Sequence, residues 1–414
     1  MMQAKLLYII RCMALLSAVL LTACSSSGEE ENSAPVEDCF LDIYVYSPGR
    51  PIVTRGDVGE IAPSAEAERT VKTLQIWVYR HGDGRLVSYK DTTATYLNEA
   101  AIGQQKFQMK IDKTFADNPE NVDVYVVANA ASCGLSSLDE NTTRAQLDAA
   151  QISGNYFGTE ELTQSVPENG LPMSAVLHNQ PITGRFPTLR IGTESEMATL
   201  QLTRAVSRLR FVLCRITEDT NTKKRLVSID GIQLNGNQIP TASYLIPREN
   251  VSYTSLESSA VTYVNNENKL LTAKIPDVAD PLRFAYETKE AQQYEDLIDE
   301  NLMSADQVSE TEADGKLMQL GLTYFRESDK QLTGTINYTV QERSDDTTPW
   351  EDIEAKAETP VTFTMAAPGD FLRNHSWIVY IYFMDTKIHV LTVTNIGIKN
   401  WTDGGSKAHT VYNW

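Results

Sequence analysis

The chain has little histidine, little cysteine and too few basic residues to balance its acidic ones, and each shortage closes off a class of function. Five histidines, His81, His178, His375, His389 and His409, stand singly in 414 residues, with no HExxH or related metal-ligand spacing among them. No GxSxG elbow, Walker loop, dinucleotide fingerprint or CxxC pair occurs. No metal or cofactor is expected, and the acidic runs Glu310 to Asp314 and Ser344 to Asp346 read as solvated loops rather than catalytic carboxylate pairs. The chain is therefore not expected to be an enzyme. Lys and Arg number 36 against 55 Asp and Glu, a formal charge of -19 whose field repels nucleic acid.

Long apolar runs are also missing, apart from one near the start. Lys5 and Arg11 lead into Met13 to Leu21, too short to span a bilayer as a permanent helix. Then come Leu21, Thr22, Ala23 and Cys24, an apolar residue and two small ones before a cysteine, which is the spacing of a lipobox. The expectation is an export signal over 1–23 and a thiol at Cys24 that takes diacylglycerol and acyl chains such as palmitate, inserting the protein into outer-membrane lipid. Ser25 to Glu31 follows as a polar, acidic tether. Of the later cysteines, Cys39, Cys133 and Cys214, three cannot all pair within one chain, so no disulfide framework is expected.

What the chain does have is short apolar alternation, rich in β-branched and aromatic residues and stopped by Gly, Pro, Asn or Asp. Leu41, Ile43 and Val45 alternate with Asp42, Tyr44 and Tyr46 before Pro48 and Gly49 end the run. Val71 to Arg80 repeats the pattern and runs into the turn His81, Gly82, Asp83, Gly84. Further strands are expected at 106–111, 122–128, 199–203, 208–216, 228–234, 261–264, 320–324, 334–340, 361–365, 377–384 and 388–401. Helices are expected at Thr143 to Gln151 and Glu287 to Met303. Strands so spaced, with almost no βαβ alternation, indicate an all-β chain of two antiparallel sandwiches in tandem with short helical insertions. The boundary is placed where two strand-like pieces abut within 198–216. Arg55, Gly56 and Asp57 spell a cell-attachment tripeptide, which reads as an ordinary polar turn.

Several pieces, in order along nearly the whole chain, resemble the fimbrillin family, the structural subunits of type V fimbriae. They are the lipobox, Thr54-Arg55 ahead of an acidic stretch, Val124-Tyr125-Val126-Val127-Ala128-Asn129-Ala130, Gly170-Leu171-Pro172-Met173-Ser174, Leu202-Thr203-Arg204-Ala205-Val206-Ser207-Arg208-Leu209-Arg210-Phe211, and Phe371-Leu372-Arg373-Asn374-His375-Ser376-Trp377. The resemblance implies transthyretin-like sandwiches over 56–203 and 204–414, behind a signal at 1–23 and a removable segment at 24–55. It implies that an Arg-specific protease removes the first strand at the cell surface, so that a strand from another subunit fills the groove. Here the departing strand is Phe40 to Tyr46, with Leu41, Ile43 and Val45 inward. Arg55 is the preferred cleavage site and Arg50 the second choice, because Pro51 lacks an N–H and restricts its neighbour. The donor is the tail with Val411, Tyr412 and Trp414 beyond Gly404 and Gly405.

Two other readings stand beside the shaft subunit. The longer, acidic segment 287–315 fits a tip adhesin for a host or bacterial surface ligand, and retention of Cys24 fits an anchor. Trp350, Trp401 and Trp414 would instead suit a surface glycan-binding lipoprotein.

Overall fold

The computed structural model describes residues 38–46, 66–93, 104–154, 156–157, 166–216, 224–264, 270–271, 302–304, 317–344, 347–349, 351–352, 361–364, 373–374, 376–384, 387–394 and 409–410. In the first part of the chain the strands are β1 (Cys39–Tyr46), β2 (Leu74–Arg80), β3 (Leu86–Thr92), β4 (Gln104–Ile111), β5 (Val122–Ala128), β6 (Gln151–Ser153), β7 (Met173–Gln180), β8 (Ile182–Arg185), β9 (Thr188–Ile191), β10 (Thr199–Gln201) and β11 (Thr203–Arg204). The second part continues with β12 (Val206–Ile216), β13 (Lys224–Leu234), β14 (Ala242–Tyr244), β15 (Val261–Val264), β16 (Leu270–Leu271), β17 (Leu302–Ser304) and β18 (Leu317–Arg326). It ends with β19 (Thr333–Arg343), β20 (Glu351–Asp352), β21 (Val361–Thr364), β22 (Ser376–Met384), β23 (Lys387–Thr394) and β24 (His409–Thr410).

The chain is all-β with short helices. β6 and β14 pair with each other in a two-stranded sheet; of the rest, strands up to Arg204 build two five-stranded sheets. One is ordered β10-β1-β9-β8 with β4 on the other side of β1, and the other β11-β7-β5-β2-β3. Strands from Val206 onward build two six-stranded sheets, one containing β12 between β18 and β22 and the other centred on β13 and β19. β5, buried at every position, sits in mid-sheet between β2 and β7. The sheets are mainly antiparallel, yet β1 runs parallel to β9 and β10, β12 to β22, and β17 to β18. A hairpin cannot join parallel strands, and except for β17 and β18 the paired strands lie far apart in sequence.

Among the described residues the helices are one or two turns long. Arg144–Ala149 begins at a complete capping box of Thr143 and Gln146, as its Thr foretells, but it stops at Ala149, and Gln151 already belongs to β6. The expected helix at 287–303 lies outside the described residues up to 301, and its end is corrected: Leu302–Ser304 is a strand paired with β18. Of the expected strand at 388–401, the part beyond Thr394 lies outside the described residues. Among the described residues no helix is long and apolar enough to cross a membrane.

Candidate functional site

β1 is an eight-residue alternation, CFLDIYVY, whose odd positions face the core. Cys39, Leu41, Ile43 and Val45 are each no more than 2% exposed, while Phe40, Asp42, Tyr44 and Tyr46 are half-buried. Burying Leu41, Ile43 and Val45 is worth on the order of 5–9 kcal/mol of apolar transfer, before the entropy of ordering the strand. The strand is held on both edges. Along one, every residue from Cys39 to Tyr46 pairs antiparallel with β4. Along the other, Phe40 to Asp42 pair with β9 and Tyr44 to Tyr46 with β10, both parallel. Its ends are pinned as well, since Phe40 N donates to Pro187 O at 2.9 Å and Leu202 N donates to Tyr46 O at 3.0 Å. An element so placed is a central strand, and withdrawing it would bare an apolar channel with a strand edge on each wall.

Downstream, the next described element is the one-turn helix Glu66–Arg69. Glu68 is buried there and accepts hydrogen bonds from Arg208 Nη1, at 3.3 and 3.4 Å to its two oxygens, and from the Tyr324 hydroxyl at 2.8 Å. Arg204 Nε donates to Glu68 O at 2.9 Å and its Nη1 to Asn374 Oδ1 at 3.1 Å. Burial brings the Arg204 guanidinium down to about 10, against the pull of Glu68. Burial and the Glu68 charge both push the Tyr324 phenol up. Two of the motifs quoted above, around Arg204 and Asn374, thus meet in space at a joint between the first and second pairs of sheets. Two others meet at Asn129, which adopts a left-handed φ of 58° at the end of β5. Its Oδ1 accepts from Lys72 N and Thr73 N at 2.8 and 3.3 Å, and its Nδ2 donates to Thr70 O and Leu171 O, both at 2.9 Å. Gly170, at φ +79°, lets Asn129 in, because a Cβ there would stand 2.5 Å from Nδ2.

A third polar centre lies at the far end of β5. Asp123 is buried and accepts from His81 Nδ1 at 2.8 Å, Arg144 Nη1 at 2.6 Å and Asn179 N at 2.8 Å, with His178 Nδ1 at 3.6 Å. Burial works against the carboxylate, but the Asn179 N–H, His81 and Arg144 outweigh it and hold its pKa below the ordinary range. Among the described residues no group of three His, Cys, Asp or Glu is placed to hold a metal ion.

Leu41, Ile43 and Val45 lie together on the buried face of β1, and Cys39 extends that face by one position. Cys24, Arg50, Arg55 with its tripeptide, Val411, Tyr412 and Trp414 lie outside the described residues, as do Trp350 and Trp401. The tail is described only at β24, where His409 and Thr410 pair antiparallel with Thr392 and Leu391 of β23. Cys133 is a free thiol, pushed up to about 12 by burial, and the side chain of Cys214 is outside the described set. Glu68 and Tyr324 were not singled out from sequence; a lone Glu in an acidic stretch carries no mark of burial.

Residues 53–203 match the family of the major fimbrial subunit protein FimA. The matched stretch is a little over a third of the chain. It opens beside Arg55 and closes with β11, taking in the Asn129 and Gly170 motifs. No curated protein matches the chain. Among solved structures, the tip fimbrial protein Mfa3 of Porphyromonas gingivalis is 13% identical, with a TM-score of 0.41 over 87% of this chain and 99% of that one. A fimbrial assembly protein of Parabacteroides distasonis is 12% identical, with a TM-score of 0.42 over 90% and 100%. A fimbrilin of P. gingivalis is also 12% identical, with a TM-score of 0.38 over 88% and 93%.

Proposed function

We propose that this chain is a structural subunit of a cell-surface fimbrium, exported as a lipoprotein acylated at Cys24, cut by an Arg-specific protease and polymerised by strand exchange. The observation that carries this reading is the seat of β1: a removable-looking strand, alternating in pattern, buried on one face and paired on both edges. The positions of the arginines support it. Between Tyr46 and Glu66 the sequence offers Arg50 and Arg55, and a cut at either leaves β1 wholly on one piece and the Glu68 joint wholly on the other. Arg69 is a poor alternative, because it stands on the helix that holds Glu68 and cutting there would discard the joint. The partner is another fimbrial subunit, whose tail, equivalent to Val411, Tyr412 and Trp414, would enter the channel that β1 leaves.

The test is to treat the purified precursor with an Arg-specific protease and sequence the new N-terminus. A start at Gly56, loss of β1 and the appearance of ladders on gels are expected. Resistance of Arg50 and Arg55 to the protease, or cleavage with no ladder, would sink the polymerising form. Surface protein that keeps an acylated Cys24 would assign the chain to the anchor instead.

A further inference from the structure

β4 has one ladder neighbour. From Gln104 opposite Tyr46 to Ile111 opposite Cys39 it pairs with β1, and among the described strands it pairs with no other. The hydrogen bonds that tie it to β3 are side-chain ones, Ser88 Oγ to Lys110 O at 2.7 Å and Lys90 Nζ to Gln108 O at 3.1 Å. β9, on the opposite wall, has a second partner, because it forms a hairpin with β8 over Ile182 to Arg185. The rest of that wall is β10, which in its sheet pairs only with β1 but runs on into β11, held by β7 in the other sheet. The two walls of the β1 channel are thus unequal: one is anchored by a hairpin and by β11 without β1, and the other depends on β1 along its whole ladder.

We infer that β4 is seated by β1 and comes loose when β1 leaves, so that the acceptor channel is assembled by the strand that fills it instead of standing open between occupants. Phe107, Met109 and Ile111 are buried and keep β4 near the core, but its inward-turned N–H and C=O groups lose their partners and exchange with solvent. The incoming strand must restore those bonds as it enters. An open channel with two fixed edges would recruit any extended chain, whereas a channel with one loose wall rewards only an occupant long enough to seat it. For its role in assembly this inference rests on the strand-exchange reading; the coupling of β4 to β1 is a property of the chain itself.

The test makes β1 a ligand. A single site for an unrelated sequence-specific protease is placed between 47 and 65 of the full chain, the chain is cut, the released N-terminal piece is separated in urea and the remainder refolded, and hydrogen exchange of β4 amides is followed as a peptide of residues 38–47 is added. Exchange is expected to slow about tenfold for each tenfold rise in free peptide above its Kd. Exchange of β4 that ignores the peptide overturns the coupling. The uncut chain supplies a second measurement in rising sub-denaturing urea, where β4 amides that outlast those of β1 overturn it equally. Neither arm uses an Arg-specific protease or a fibre, so a chain that never polymerises would sink the strand-exchange reading and leave this result standing on its own.

Discussion

At the scale of single residues, the segments that carry the family resemblance turn out to be joints. Asn129 satisfies all of its amide capacity, two acceptances and two donations, while holding a left-handed backbone angle. Asn129→Ala would leave Lys72, Thr73, Thr70 and Leu171 short of partners and should cost about 3 kcal/mol, read from urea unfolding. The motif around it was legible in the sequence. Its meaning was not, because the partners stand 42 to 59 residues away. Glu68 is harder still, since its hydrogen bonds span 140 and 256 residues to Arg208 and Tyr324. Asp123 carries a pH dependence with a definite sign. Its pKa is depressed in the folded chain, so it contributes stability above the ordinary carboxylate pKa of about 4, and that contribution is lost as pH falls through the lower folded value. Unfolding free energies measured between pH 5 and pH 2 should fall less steeply in Asp123→Asn than in the parent.

At the scale of elements, strands with one wet and one dry face announced themselves. The alternation of Leu41, Ile43 and Val45 gave β1 its bounds within one or two residues, and β5 and β15 have the bounds expected of them. β7, β8 and β9 escaped notice because MSAVLHNQ runs out into polar, exposed residues and ITGR and TLRI are only four residues long. The role of β9 as a wall of the β1 channel comes from pairing across more than 140 residues, which periodicity does not encode. β1 itself offers a prediction that separates packing from assembly. Leu41→Ala leaves a cavity in a fully buried site and should destabilise the precursor by about 2–5 kcal/mol. If β1 is exchanged as proposed, the same change should leave the assembled fibre's resistance to heat and detergent untouched. Equal weakening of precursor and fibre, measured by thermal melts of each, would mean that β1 stays in place.

At the scale of the whole molecule, the two pairs of sheets share a plan. β1 lies between an antiparallel neighbour, β4, and the parallel pieces β9 and β10, and β12 lies between antiparallel β18 and parallel β22. β12, however, follows directly from β11 and runs on for eleven residues, whereas both arginines offered for cleavage follow β1. The seat is the same in the two halves, and the reading above makes it exchangeable in the first. The tail is the other half of that reading. Removing 411–414 should leave an exported, folded precursor that is cut normally but yields no ladder, since β24 and all the described elements lie before the deletion.

The ladder on both flanks of β1 has a mechanical side. A strand gripped along its length by antiparallel rungs on one edge and parallel rungs on the other is loaded in shear when it is pulled along its own axis. All its rungs then share the tension, where a strand peeled from a single edge would lose them one after another. A filament jointed through this seat would stretch its subunits before its joints slipped, which suits an appendage that must hold against flow.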